Sequence, residues 1–244
     1  IEREGSEAVY KITRLQETRA GKPQRISLVC ILRDLKPTER LDASAKSTLQ
    51  RNVINLEKYS QQQLADILND RIQLAFKLST VAEDVINMVS ELAFSESGNA
   101  RFAIELLWRA GKYADADGVG EVSPECLRKA VSSIMPTLRK SELASLGLHE
   151  KLFLLGVARI FKETQKAYVS LSEMEKAYAV VCEEFEEQPH SHTQLWKHTQ
   201  FFSALGILKT EVASTGKRGR STRISLPSIP AVELEKELIA LLEE

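Results

Sequence analysis

The densest chemistry in this chain sits in a short basic segment, Ser214-Thr-Gly-Lys-Arg-Gly-Arg-Ser221. Lys217, Arg218 and Arg220 are cations suited to phosphate oxygens, the arginines as rigid planar forks. Gly216 and Gly219 let the backbone approach a phosphate closely or let the segment enter a groove. From His190 to Arg223 the basic residues are Lys197, Lys209, Lys217, Arg218, Arg220 and Arg223, and the only acid is Glu211. A solvated hairpin tip would also carry charge. The segment just before it favours duplex DNA, because it reads as a helix whose Gln194, Lys197, His198 and Phe201 share one side at i, i+3, i+4 and i+7. Gln, Lys and His suit base edges and phosphates. Leu195, Trp196, Thr199 and Phe202 are assigned to the opposite, packed side. Phe201 fits the polar face badly and is expected to pack under the neighbouring hairpin. An ordinary amphipathic surface helix explains the same pattern if the basic segment is disregarded.

Other constellations carry less. His190, His192 and His198 cluster in sequence, but no cysteine or paired carboxylate lies beside them, so no metal site is assigned. Cys30, Cys126 and Cys182 are far apart and odd in number, which points to reduced thiols rather than a disulfide framework or zinc knuckle. Ser, Cys and His form no nucleophile motif, and no catalytic residue is assigned. The chain holds no G-x-x-x-x-G-K-[ST] loop, and Gly118-Val-Gly120 is too short for a dinucleotide fingerprint.

The elements that must position these residues fall into three blocks, with domains expected at 1–57, 58–142 and 143–244. In the first, Val9, Ile12 and Leu15 have helical spacing. The apolar run Ile26-Ser-Leu-Val-Cys-Ile-Leu32 suits a buried parallel strand, and Val53-Ile-Asn-Leu56 a second short one. Two strands and a helix cannot complete an α/β domain, so this block is expected to be the end of one. The second block is nearly all helix. Ser60 with Gln63 forms a capping box before Leu64, Ile67, Leu68, Ile72 and Phe76. A second helix holds Val81, Val85, Ile86 and Val89, and a third starts near Gly98. Residues Tyr113 to Gly120 are expected to be a turn, and Ser123-Pro124 opens a fourth helix. In the third block, one helix carries Leu148, Leu152, Leu155 and Ile160. A capping box of Ser172 and Glu175 is expected before Met174, Tyr178, Val181 and Phe185, and a third helix runs from about 191 to 205. Strands over Ile207–Ala213 and Thr222–Leu226 flank the basic tip, and a helix from Val232 to Leu242 closes the chain. Three helices followed by a hairpin with a basic tip is the winged-helix order.

Composition sets outer limits. The 244 residues are 43% hydrophobic and 27% charged, with net charge −1, so any electrostatic case for nucleic acid is local. No apolar stretch long enough to span a bilayer is present, so no membrane role is assigned. The chain opens on Ile1 amid charged residues and is expected to be part of a longer protein.

Several segments together resemble the archaeal origin-recognition and cell-division-control initiator family of AAA+ ATPases. Gly98-Asn-Ala-Arg-Phe-Ala-Ile-Glu-Leu-Leu107 resembles its sensor-2 motif. The pattern of Tyr59, Leu64, Asp66, Leu68, Arg71, Ala75 and Phe76 is similar to its first lid helix, and the third block to its winged helix with a G-x-x-G-R wing. The strand ending at Asp34, followed by Leu41-Asp42, resembles its sensor-1 strand and the segment beyond. The resemblance covers almost the whole chain. It implies a mainly α fold: a remnant of the α/β ATPase core, a helical lid and a C-terminal winged helix.

It also implies roles. Arg101 would reach nucleotide phosphates from the lid. ATP or ADP with magnesium would bind the intact protein, while this chain alone would hold no cofactor and hydrolyse nothing, since the phosphate loop and magnesium-binding acids would lie upstream. Gln194, Lys197, His198, Lys217, Arg218, Gly219 and Arg220 would contact double-stranded DNA at an origin. The replicative helicase or a paralogous initiator would be partners, in a cytoplasmic, nucleoid-associated setting. Two positions depart from the family: Arg33 stands where a polar sensor-1 residue is usual, and Ser44 where an arginine is expected. The alternatives are a winged-helix transcription regulator with an ATPase-like module, or a winged-helix scaffold that binds a partner protein.

Overall fold

A computed structural model describes residues 7–12, 29–32, 39, 41, 43–48, 54–134, 140–214 and 220–243. The chain divides into two compact units, Ile1–Glu57 and Lys58–Glu244. In the first, residues 7–12 and Ala43–Thr48 are helical. Residues 29–32 and 54–57 are not strands, and Val29, Ile31, Ile54 and Leu56 are exposed. The expected strands over Ile26–Leu32 and Val53–Leu56 are therefore corrected in their described parts. A strand requires a partner for its N–H and C=O groups, and the described residues of this unit contain no other strand.

The second unit begins with a bundle of α1 (Gln61–Ala75), α2 (Glu83–Ser95), α3 (Ala100–Asp117) and α4 (Pro124–Ile134). Ser60 and Gln63 make the expected capping box at α1, with Gln63 N–H donating to Ser60 Oγ and Ser60 N–H to Gln63 Oε1. Leu64 and Leu68 of α1, Val85 and Val89 of α2, Leu106 and Ala110 of α3 and Leu127 of α4 bury their side chains together. Each large aliphatic side chain so buried contributes about 1.5–3 kcal/mol, which offsets the ordering of four helices. The segment from Tyr113 to Gly120 is not the expected turn, because α3 continues to Asp117. The helix stops at Gly118, whose φ of +68° is the left-handed cap conformation that glycine adopts without strain. Val122 N–H then donates to Thr80 carbonyl, bridging the α1–α2 and α3–α4 connections.

Next come α5 (Lys140–Ala144), α6 (Leu148–Thr164), β1 (Val169–Ser170), α7 (Leu171–Glu184), α8 (His192–Ala204), β2 (Lys209–Ser214), β3 (Arg220–Ser225) and α9 (Ala231–Leu242). The strands form an antiparallel sheet in the order β1-β3-β2, with Val169 opposite Ile224 and Thr210 opposite the same Ile224 on the other side. Three helices, a three-stranded sheet and a β2–β3 wing make a winged helix. Strand β1 is too short to show in the sequence pattern, yet it decides how α7 starts. Two S-x-x-E pairs overlap here. The structure uses Ser170 with Glu173, not the expected Ser172 with Glu175, because pairing with β3 holds Ser170 extended (φ −85°, ψ 159°) as an N-cap must be. Glu173 also accepts from Lys166. That ammonium, with the backbone and hydroxyl of Ser170, brings its carboxyl down to about 2.

Gly156 sets the spacing of α6 and α7. A Cβ there would lie 3.0 Å from the backbone nitrogen of Tyr178 and 3.1 Å from its Cα, so the two helices meet backbone to backbone. The winged-helix core then gathers Phe153, Leu155 and Phe161 of α6, Tyr178 of α7, Leu195 and Phe202 of α8, Ile224 of β3 and Leu238 of α9.

Candidate nucleic-acid interface

Helix α8 packs into this core through Leu195, Thr199 and Phe202, all fully buried, with the Thr199 hydroxyl donating back to Leu195 carbonyl. The side away from those three residues carries Thr193, Lys197, Gln200 and Ala204, all exposed. Of the residues expected to face a ligand, Lys197 is fully placed there, exposed and without an ion pair among the described residues. Gln194 is exposed at the first turn, but its Oε1 accepts from the backbone N–H and the hydroxyl of the N-cap Ser191, the N3 half of a capping box. His198 turns toward the core flank. It is half-buried, its ring packs against Phe153, and its Nε2 lies 3.3 Å from His190 Nδ1.

Two further expectations change. Trp196 does not belong to the packed side, being 38% exposed on the flank of the helix, and Phe201 is 41% exposed with its ring edge-on to Phe202. Thr193 and Gln200 are the exposed polar residues that the sequence reading missed. The helical pattern contained them, because both lie opposite the Leu195–Thr199–Phe202 stripe, but centring the outward face on His198 rotated it away from them.

His190 stacks on His149 of α6 with ring centroids 3.7 Å apart, and His149 Nδ1 is 2.8 Å from the Tyr178 hydroxyl. Burial and the neighbouring His149 lower the proton affinity of His190. Burial and His190 do the same for His198. His192 instead lies outside the stack, against Glu175. Among the described residues no group of His, Cys, Asp and Glu side chains is arranged to hold a metal ion, and the stacked rings are not a tetrahedral ligand set.

The wing is built from β2 and β3 in register from Lys209–Ser225 to Ser214–Arg220. Lys217, Arg218 and Gly219 lie outside the described residues. Arg220 starts β3, at the tip end of the ladder. Further down the hairpin, Lys209 Nζ pairs with Glu91 of α2 at 2.5 Å and Arg223 lies over the Tyr168 ring at 6.0 Å, so these two cations are engaged within the protein. Burial raises the Tyr168 hydroxyl to about 12, helped by Glu91, Glu211 and Asp84.

In the lid, Asn99 caps α3 by accepting from the backbone N–H groups of Arg101 and Phe102. Arg101 is exposed in the first turn, with no ion pair among the described residues. Its position depends on Gly98, which has φ +68° and where a Cβ would lie 2.6 Å from the Tyr59 carbonyl oxygen. The close approach brings the chain entering α1 against the start of α3. An exposed guanidinium at a helix N-terminus, with no partner among the described residues, has the chemistry to hold a phosphate. Arg33 lies outside the described residues, and Ser44 lies in the first unit's short helix.

No helix among the described residues is long and apolar enough to cross a membrane. Comparison with known proteins matches residues 65–132 to the Cdc6 AAA+ ATPase-type lid domain and residues 141–235 to the CDC6 C-terminal winged-helix domain. The chain is 32% identical over 240 residues to the ORC1-type DNA replication protein 2 of Sulfolobus acidocaldarius, covering 96% of this chain and 58% of that protein. It is 30% identical to the ORC1-type DNA replication protein 7 of Halobacterium salinarum, covering 98% of this chain and 46% of that protein. Among solved structures, Cdc6p from Pyrobaculum aerophilum superposes with a TM-score of 0.78 at 28% identity, over 98% of this chain and 63% of that one. The chain thus spans roughly half the length of the curated relatives it matches.

Proposed function

Because the chain belongs to the ORC1/Cdc6 replication-initiator family and carries its lid and winged-helix domains, we propose that it is the part of an initiator that binds duplex DNA at an origin. Helix α8 enters the major groove with Thr193, Lys197 and Gln200 toward the bases, and the wing places Lys217, Arg218 and Arg220 on the phosphates or in the adjacent minor groove. The observation that carries this reading is the α8 surface itself. A cation and two hydrogen-bonding side chains lie in one exposed row beside a wing with no acid at its tip.

In the intact protein the lid reads the nucleotide. Arg101 is the residue of this chain that would touch ATP or ADP, as a fixed cation for phosphate oxygens. The nucleotide and its magnesium would otherwise be held by groups of the ATPase core. The replicative helicase or a paralogous initiator would be recruited to the DNA-bound protein, in a cytoplasmic, nucleoid-associated setting.

The test is a titration of duplex DNA with the 244-residue chain at several salt concentrations. Binding that weakens linearly in log–log form, by roughly 0.9 per phosphate contact, supports the reading. Absence of duplex binding at low salt would overturn it. The exposed Trp196, Phe201 and Leu205 favour a second reading, a winged helix that docks a protein through α8. Binding that is present but insensitive to salt points there.

A further inference from the structure

Helix α4 of the lid carries a fully buried arginine. Arg128 Nε donates to the carbonyl of Leu226 at 2.8 Å, Nη2 to the carbonyl of Lys166 at 3.0 Å and Nη1 to Glu125 at 3.1 Å, and its guanidinium lies 4.7 Å from the centre of the Phe161 ring. Leu226 directly follows the wing strand β3, Lys166 follows α6, and Phe161 belongs to α6. The other oxygen of Glu125 accepts from Ala231 N–H at 2.8 Å, capping α9. One lid helix thus holds the ends of three winged-helix elements through a single ion pair. A charge so enclosed is a poor source of net stability, because desolvation consumes most of what pairing returns, but it is well suited to fixing one geometry among several.

Two contacts away from this pair act in the same sense. Ala167 is buried in the lid's apolar cluster, with Tyr168 packed against it, and Lys209 of β2 is paired with Glu91 of α2. Two bodies joined at one point can rotate about it, whereas attachments on separate elements (here α4 and α2 on one side, β2, β3, the α6–β1 connection and α9 on the other) leave no free axis.

We propose that Arg128 and Glu125 are positioning residues that lock the lid and the winged helix into one rigid body. A nucleotide-driven movement of the lid is then carried to α8 and the wing without loss. This consequence rests on the proposed function, but the rigid body itself does not. The sequence offered no signal for it, since both residues read as ordinary surface charges of an amphipathic helix.

The test measures backbone N–H residual dipolar couplings of the 244-residue chain in a dilute aligning medium. In the wild type, couplings from α1–α4 and from α6–α9 should fit one alignment tensor. The double variant Glu125→Gln/Arg128→Met removes the charge on both sides, so no orphan ion is left inside. It should require two tensors while the chemical shifts within each domain persist. Arg128→Lys, which keeps the charge but loses the three-way fork, should also require two tensors. It serves alone if the double variant does not fold. A wild type that needs two tensors, or variants that keep one, would overturn the proposal. Duplex affinity of the variants should stay within about threefold of wild type, because no DNA-facing side chain changes. A wild type that fits one tensor yet binds no duplex would defeat the DNA reading and leave the rigid body standing.

Discussion

The imidazole of His190 shares a 3.3 Å nitrogen-to-nitrogen contact with that of His198, while its other face stacks on His149. The arrangement joins the chain before α8, the helix itself and the start of α6, and burial among these rings lowers the proton affinity of His190 and His198. Glu187 and Glu150 lie near enough to offset this in part, and the Tyr178 hydroxyl bonds His149.

Acid should therefore loosen the base of α8. His190 and His198 have proton affinities lowered in the fold, so the unfolded chain binds protons first as pH drops through about 6.5. The stability held by their neutral forms is present above that pH and is lost below it. The melting temperature should fall between pH 7.5 and 5.5, and His198→Gln should flatten the fall. Melting curves at a series of pH values check this, and equal slopes for the two proteins would show that the pair does not titrate as the geometry demands.

On α8, Lys197→Ala and Gln200→Ala should alter sequence preference among duplexes, since a side chain bonded to a base edge is worth about 1–3 kcal/mol against the wrong base. Gln194→Ala should act differently. Its Oε1 is engaged at the cap, so the expected loss is about 1 kcal/mol of stability with preference unchanged. Binding to a panel of duplexes, beside a melting curve, separates the two. A shifted preference for Gln194→Ala would return that residue to the DNA-reading face.

Lys217, Arg218 and Arg220 changed together to alanine should flatten the salt dependence of duplex binding by about 2–3 in log–log slope. Affinity should weaken by about 2–4 kcal/mol at roughly 1 kcal/mol per charge-assisted contact. Surface changes of this kind move stability by no more than about 0.5 kcal/mol. Salt-series titrations with a melting curve test both statements, and an unchanged slope would remove the wing from the interface.

Arg101→Ala, made in the protein that carries the ATPase core, should weaken nucleotide binding or slow turnover. The lid should remain folded, because the side chain is exposed and the Asn99 cap uses only backbone N–H groups. Gly98→Ala should behave otherwise, disturbing the lid itself, since both its φ of +68° and the Tyr59 carbonyl oppose a side chain. Nucleotide titration and circular dichroism distinguish the variants. Unaltered affinity and turnover in Arg101→Ala would make it a plain surface arginine.

The order of helices, the capping box at Ser60, the packed stripe of Leu195, Thr199 and Phe202 and the hairpin around the basic tip were legible in the sequence. Each depends on residues a few positions apart, where helical and strand periodicities operate. The tertiary structure decided what longer-range partners determine. Pairing of β1 with β3 selected Ser170 over Ser172 as the cap of α7. The contact of His198 with His190 and Phe153 turned it inward and left the outward row to Thr193, Lys197 and Gln200. Arg128 and Glu125 look like surface charges until bonds to Leu226 and Ala231, 98 and 106 positions along the chain, bury them. Local pattern reports which side of an element is apolar; only the packed chain determines which polar groups find partners and which remain free to meet a ligand.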